Sequence, residues 1–102
     1  MPAYVVFIRE SEIRHPEEMD KYQQVSRTEM KPHPLTPLAV YGQQETIEGE
    51  DSDGIVILEF PDMDAAKNWY YSPEYQKAAK HRRAAADYRG FIVEGFNPTA
   101  GD

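Results

Sequence analysis

Two short runs of this chain are apolar on both faces, and they anchor its secondary-structure pattern. Ala3 to Ile8 (AYVVFI) is rich in β-branched and aromatic residues and predicts a strand covered from two sides. Ile55 to Phe60 (IVILEF) predicts a second, with Val56, Leu58 and Phe60 on one face and Ile55, Ile57 and Glu59 on the other. Between them, Pro16 suits the first turn of a helix, and Glu17 and Glu18 suit its positive end. Met19, Tyr22, Val25 or Ser26, and Met30 form the inward stripe of that helix, which must end before Pro32. Lys31 to Pro37 (KPHPLTP) reads as a stiff connector. Leu38 to Ile47 predicts a further strand, interrupted at Gly42 by a bulge or bend, and Glu48 to Gly54 an acidic turn. After Pro61, Asp62 can cap a short helix through Trp69 or Tyr70. Ser72 and Pro73 then restart a helix that runs to about Ala86. Arg89 to Phe96 predicts the last strand and residues 97–102 a loose tail.

The order β, α, β, β, α in two pieces, β is that of a split βαβ, or ferredoxin-like, α+β domain: a four-stranded antiparallel sheet with helices on one face. Strands one and three are central in that topology, and these are the doubly apolar ones. One domain over residues 1–96 is expected. Helices cover only one face, so Ile55, Ile57 and their neighbours on the first strand remain open on the other. The simplest cover is the same sheet of a second copy, which predicts a homodimer through sheet faces.

One residue breaks the pattern. With Arg82 set at zero and about 100° per residue, Tyr75, Ala78, Ala79, Ala85 and Ala86 all fall within about 60° of it, while Lys77, Lys80 and Asp87 fall on the far side. A guanidinium on an inward stripe needs either a carboxylate or a cavity with an anion to receive, because an unpaired buried charge costs several kcal/mol. Glu94, Glu59 and Glu45 are the candidate partners, and a structural ion pair stands beside a ligand contact as the alternative. Tyr22, Trp69, Tyr70 and Tyr75 are candidate pocket walls, with core packing as the plain reading of each. A phenol beside Arg82 could bind a substrate or remove its proton.

Composition narrows the partners. Eighteen acidic against 11 basic residues give a formal net charge of -7, which argues against nucleic acid and anionic membranes as partners. The only basic cluster is Lys80, His81, Arg82 and Arg83. Cysteine is absent, which excludes disulfides, thiolate nucleophiles and iron-sulfur ligation. His15, His33 and His81 are dispersed and make no metal motif. Asp51, Asp53 and Gly54 lack the glutamate spacing of a calcium loop. No phosphate loop or dinucleotide-binding glycine motif is present, so no cofactor is expected. No apolar run approaches the ~18 residues needed to span a bilayer, and Met1 to Phe7 is unlike a signal peptide, so a cytoplasmic protein is expected.

The run Glu59-Phe60-Pro61, Ala65, Trp69-Tyr70, Ser72-Pro73-Glu74-Tyr75, Arg82 and Val93-Glu94-Gly95, with Gly42, Glu45, Glu48 and Gly49 upstream, resembles a domain-of-unknown-function family of the dimeric α+β barrel superfamily. The resemblance implies a ferredoxin-like subunit paired sheet to sheet. Its wider relatives include cofactor-free monooxygenases, muconolactone isomerases and haem-binding dismutases, whose ligands lie between helices and sheet. This chain departs from the pattern at His15-Pro16, where Asp-Pro is common, and at Thr36-Pro37, where Gly-Gly is common. The resulting expectation is a small-molecule-binding protein with a pocket near Arg82, Tyr22, Glu59, Glu94, Trp69 and Tyr75. Cofactor-free isomerisation or oxygenation of an aromatic or enolisable acid is the reaction implied by resemblance. The alternative is a non-catalytic homodimeric interaction module whose Arg82 ion pair is structural.

Overall fold

The computed structural model describes residues 1–30 and 33–96, with the side chains of residues 29 and 30 left aside. The elements are β1 (Ala3–Arg9), α1 (Pro16–Met30), β2 (Thr36–Val40), β3 (Gly54–Phe60), α2 (Met63–Tyr70), α3 (Pro73–Ala85) and β4 (Tyr88–Glu94). They form one antiparallel sheet in the order β2-β3-β1-β4, which puts the two doubly apolar strands in the centre. The expected loose tail and part of the proline-rich connector lie outside the described residues.

Local chemistry sets the helix boundaries. The Asp62 carboxylate accepts the Ala65 amide at 2.8 Å, and the Ser72 hydroxyl accepts the Tyr75 amide at 3.1 Å, each satisfying an otherwise unpaired amide of a first turn. Pro73 occupies the first turn of α3, where its missing N–H costs nothing. The carbonyl of Ala85, at the other end of α3, accepts the amides of Arg14 and His15, so the segment entering α1 closes the end of α3.

The register assigns faces. Ala3, Val5 and Phe7 point to the same side as Val56, Leu58 and Phe60, and all six are buried beneath the helices. Trp69 and Tyr75 complete this core, fully buried with ring centroids 4.0 Å apart, and Phe60 lies 5.4 Å from Trp69. Ala78, Ala79 and Ala85 are also fully buried on α3. Their small side chains permit close packing with α1, whose Met19 and Ser26 are buried in turn. The opposite sheet face carries Tyr4, Val6, Ile8, Ile55 and Ile57 with Phe91 and Val93, and no element of the described chain covers it.

The second strand differs most from expectation: it begins at Thr36, inside the expected connector, and the last strand ends at Glu94 rather than Phe96. The second strand ends at Val40, well short of Ile47, because Tyr41 adopts a left-handed backbone with φ 54° and turns the chain out of the sheet. Residues 42–50 are exposed, Ile47 among them at 83%. The irregularity in this strand falls between Pro37 and Ala39 rather than at Gly42, since proline cannot supply the ladder N–H at that point.

Two surface contacts give the fold an acid limit. His81 on α3 hydrogen-bonds Glu18 on α1, and this bond, opposed by burial and helped by the Lys21 charge, holds the Glu18 carboxyl below its usual value. Arg14 donates to Asp87 at 2.7 Å and holds that carboxyl down likewise. A carboxyl whose pKa is depressed on folding contributes stability above its unfolded value, near 4.5 for Glu and 3.8 for Asp, and loses it as pH falls through the folded value. The thermal midpoint should therefore fall as pH drops below about 4.5, and Glu18→Gln with Asp87→Asn should flatten that decline. A pH series of melting curves measures both.

Candidate functional site

Arg82 follows from helical periodicity and is seated by the aromatic rings around it. It lies in the last turn of α3, only 4% exposed, over the Phe7 end of the sheet. Its guanidinium carbon stands 4.3 Å from the centroid of Phe7, 4.9 Å from Tyr88 and 6.0 Å from Tyr22. Cation-π attraction of about 1 to 2 kcal/mol per well-desolvated ring offsets part of the burial penalty. Among the described residues no carboxylate pairs with Arg82, and its buried Nε has no hydrogen-bond partner.

The expected ion pair with Glu59, Glu94 or Glu45 is therefore not formed, and strand geometry explains each case. Glu59 pairs in register with Tyr4 and projects to the open face, away from α3. Glu94 pairs with Ala3 on the helix side but at the other end of β1, four residues and roughly 13 Å from Phe7. Glu45 lies in the exposed segment after β2. Glu59 instead lines a separate hollow with Pro2 and Thr36.

Arg82 and Phe7 stand between two cavities. The larger, about 440 Å³, lies between β4, the β1 centre and the helices α2 and α3; Lys67, Tyr70, Arg83 and Tyr88 line it together with Arg82 and Phe7. The smaller, about 200 Å³, lies under α1 and is mainly apolar, with Met19, Tyr22, Val40, Tyr41 and Leu58 in its wall. Volumes of this order suit small organic ligands. Tyr22 thus borders the smaller cavity and Tyr70 the larger, whereas Trp69 and Tyr75 belong to the core and line neither. Tyr41, strained at positive φ, reaches across the sheet so that its hydroxyl meets that of Tyr88 at 2.6 Å, joining the walls of the two cavities. Gly54 beneath it leaves the necessary room, since a Cβ there would sit 2.6 Å from the Tyr41 ring.

Charge at the site is one-sided. Burial works against the positive charge of Arg82, but the hydroxyls of Tyr75 and Tyr22 work for it, and its pKa ends above the ordinary value. Burial raises the phenols of Tyr22, Tyr75 and Tyr88, and Tyr22 further shares a 3.0 Å hydrogen bond with Tyr75. Each phenol is therefore neutral near pH 7 and serves as a hydrogen-bonding group, not as the proton-removing base considered from sequence. Among the described residues, no carboxylate or histidine lines either cavity. Chemically the walls offer positive charge and neutral hydroxyls, with no carboxylate or imidazole among the described lining residues.

Sequence reasoning did not single out Lys67, Tyr88 or Tyr41, and it placed Arg83 only in a basic cluster. Lys67 and Tyr70 are one turn apart on α2, so the Tyr70 wall carries Lys67 with it. Nothing in the sequence reveals that α2 lies across β4.

Comparison with known proteins now adds the family. The model of the domain of unknown function DUF1330 matches residues 2–96. The chain belongs to this family. No curated protein matches it. Among solved structures, a protein of unknown function from Rhodopseudomonas palustris superposes with TM-score 0.71 at 21% identity, over 95% of this chain and 84% of that one. A dimeric ferredoxin-like protein of unknown function from Jannaschia sp. CCS1 gives 0.66 at 15%, over 93% and 100%. SnoaB, a cofactor-independent oxygenase from Streptomyces nogalater, gives 0.56 at 13%, over 94% and 93%. These likenesses establish the ferredoxin-like fold of this DUF1330 domain. No helix of the described residues is long and apolar enough to cross a membrane.

Proposed function

We propose that this DUF1330 domain is a small-molecule-binding homodimer whose ligand is an organic acid held against Arg82. The observation that carries the reading is the buried guanidinium between two cavities, with its Nε unpartnered and no carboxylate of the described residues paired to it. Stacking on the surrounding rings offsets part of the cost of burying this charge, and a bound anion would offset the rest. Aromatic walls at Phe7, Tyr70 and Tyr88 favour an aromatic or otherwise planar acid.

The uncovered sheet face supports the dimer. Phe91 and Val93 are about half exposed there beside Val6, Ile55 and Ile57, forming a contiguous apolar surface of the kind that marks an interface. The Jannaschia neighbour, described as dimeric, has the same fold.

If the bound acid reacts, the chemistry that suits the walls is stabilisation of enolate charge by Arg82, in an isomerisation or a cofactor-free oxygenation. SnoaB, described as a cofactor-independent oxygenase, motivates the second. With no carboxylate or imidazole among the described residues of either wall, such a substrate would lose its proton to water or to its own carboxylate. The alternative of an interaction module pinned by an Arg82 ion pair loses its premise, because that pair is not formed.

Sedimentation at micromolar concentration should give twice the chain mass, and a panel of small aromatic and keto acids should raise the thermal midpoint. A stable monomer would contradict the dimer. A dimer that none of the acids stabilises would contradict the ligand reading.

A further inference from the structure

Resting on that reading of the Arg82 site, we propose that its occupant is a dianion: a compact aromatic or unsaturated acid with two separated acidic groups. Charge and depth in the larger cavity support a dianion. Three cations line that cavity, Lys67, Arg82 and Arg83, and no carboxylate of the described residues does. Among the described residues none of the three is in an ion pair, whereas Arg14, Lys21 and Arg89 each meet a carboxylate. Arg9, also near this end of the sheet, donates to the carbonyls of Ser11 and Asp53. In a chain with 18 acidic and 11 basic residues, this wall gathers three cations, and no carboxylate of the described residues lines it beside them.

The cations stand at two depths. Arg82 is buried at the inner end, stacked on Phe7 and Tyr88, while Lys67 and Arg83 are exposed at the mouth. The wall also includes Tyr70, Met63 and Ile92, which offer flat or apolar surface without charge. A monocarboxylate can satisfy only one of these levels. An occupant with one acid inside and a second outside, joined by a planar spacer, meets both and offsets most of the cavity's positive charge. Charge-assisted hydrogen bonds to guanidinium and ammonium make the second acid count toward affinity as well as solubility. The larger cavity is thereby assigned as the recognition site, and the smaller apolar one under α1 lies beyond Arg82.

The test compares phthalate, isophthalate and terephthalate, which set three spacings between acids, with the monomethyl ester of each, by calorimetry on the wild-type protein. At least one diacid should bind about tenfold or more tightly than its own monoester at low salt. The Lys67→Met, Arg83→Met double variant should bring that diacid down to the affinity of its monoester. Both positions are exposed, so this variant is expected to fold. Monoesters that bind as well as every diacid would overturn the dianion and leave the anion site standing. If folded protein binds neither series, the reading of Arg82 as an anion site fails with it.

Discussion

Trp69→Ala should cost about 3 to 5 kcal/mol, a large part of the roughly 5 to 15 kcal/mol available to a domain of this size. The indole is fully buried and in contact range of Phe7, Phe60, Tyr70 and Tyr75, so it sits where β1, β3, α2 and α3 meet. Its removal leaves a hole that four rings from four elements cannot close together. The thermal midpoint should drop by roughly 15 to 30 °C. Trp69 is the sole tryptophan, so urea unfolding should be followed by circular dichroism at fixed protein concentration, which also holds any dimer contribution constant. A loss below about 1 kcal/mol would mean that the core is not organised around the indole.

Arg82→Met should separate stability from binding. Methionine is apolar, flexible and able to fill much of the same space. It removes a buried charge that no carboxylate of the described chain compensates. Against this stands the loss of the stacking on Phe7, Tyr88 and Tyr22. The two effects oppose each other, so folding stability should change by no more than about 1 kcal/mol, with any change toward greater stability. Affinity for organic acids should fall by about a hundredfold or more, as when a buried charged partner is removed. A structural pin would behave oppositely, with a loss of about 3 kcal/mol or more in stability and no change in binding.

The fold was legible because several independent signals agreed. β1 and β3 read as apolar on both faces, and they are the two central strands. Asp62 and Ser72 read as caps and act as caps. The end of β2 was not legible. Tyr41 takes a left-handed backbone although it is neither glycine nor asparagine, and what holds it there is a tertiary bond to Tyr88 and the open space above Gly54.

The site was half legible. Periodicity put Arg82 inward, and it is inward. Period-two alternation on β3 already placed Glu59 with Ile55 and Ile57, which removes it as a partner for a helix lying on the Val56 face. Glu94 needed more, because its face is right and its position along the strand is wrong; only the register Ala3 with Glu94 decides this. Lys67 and Tyr88 enter the wall because α2 crosses β4, a matter of how helices settle on a twisted sheet. Short-range sequence patterns carry no record of that crossing.

The most direct test of Arg82 as an anion receptor is the proton and nitrogen resonance of its Nε–H in isotopically labelled protein during titration with a monomethyl phthalate ester. The structure leaves this donor buried and unpartnered, so a bound carboxylate should shift the resonance strongly and saturably while the backbone resonances of the α1 surface stay in place. A resonance that does not move at saturating concentrations would contradict the account.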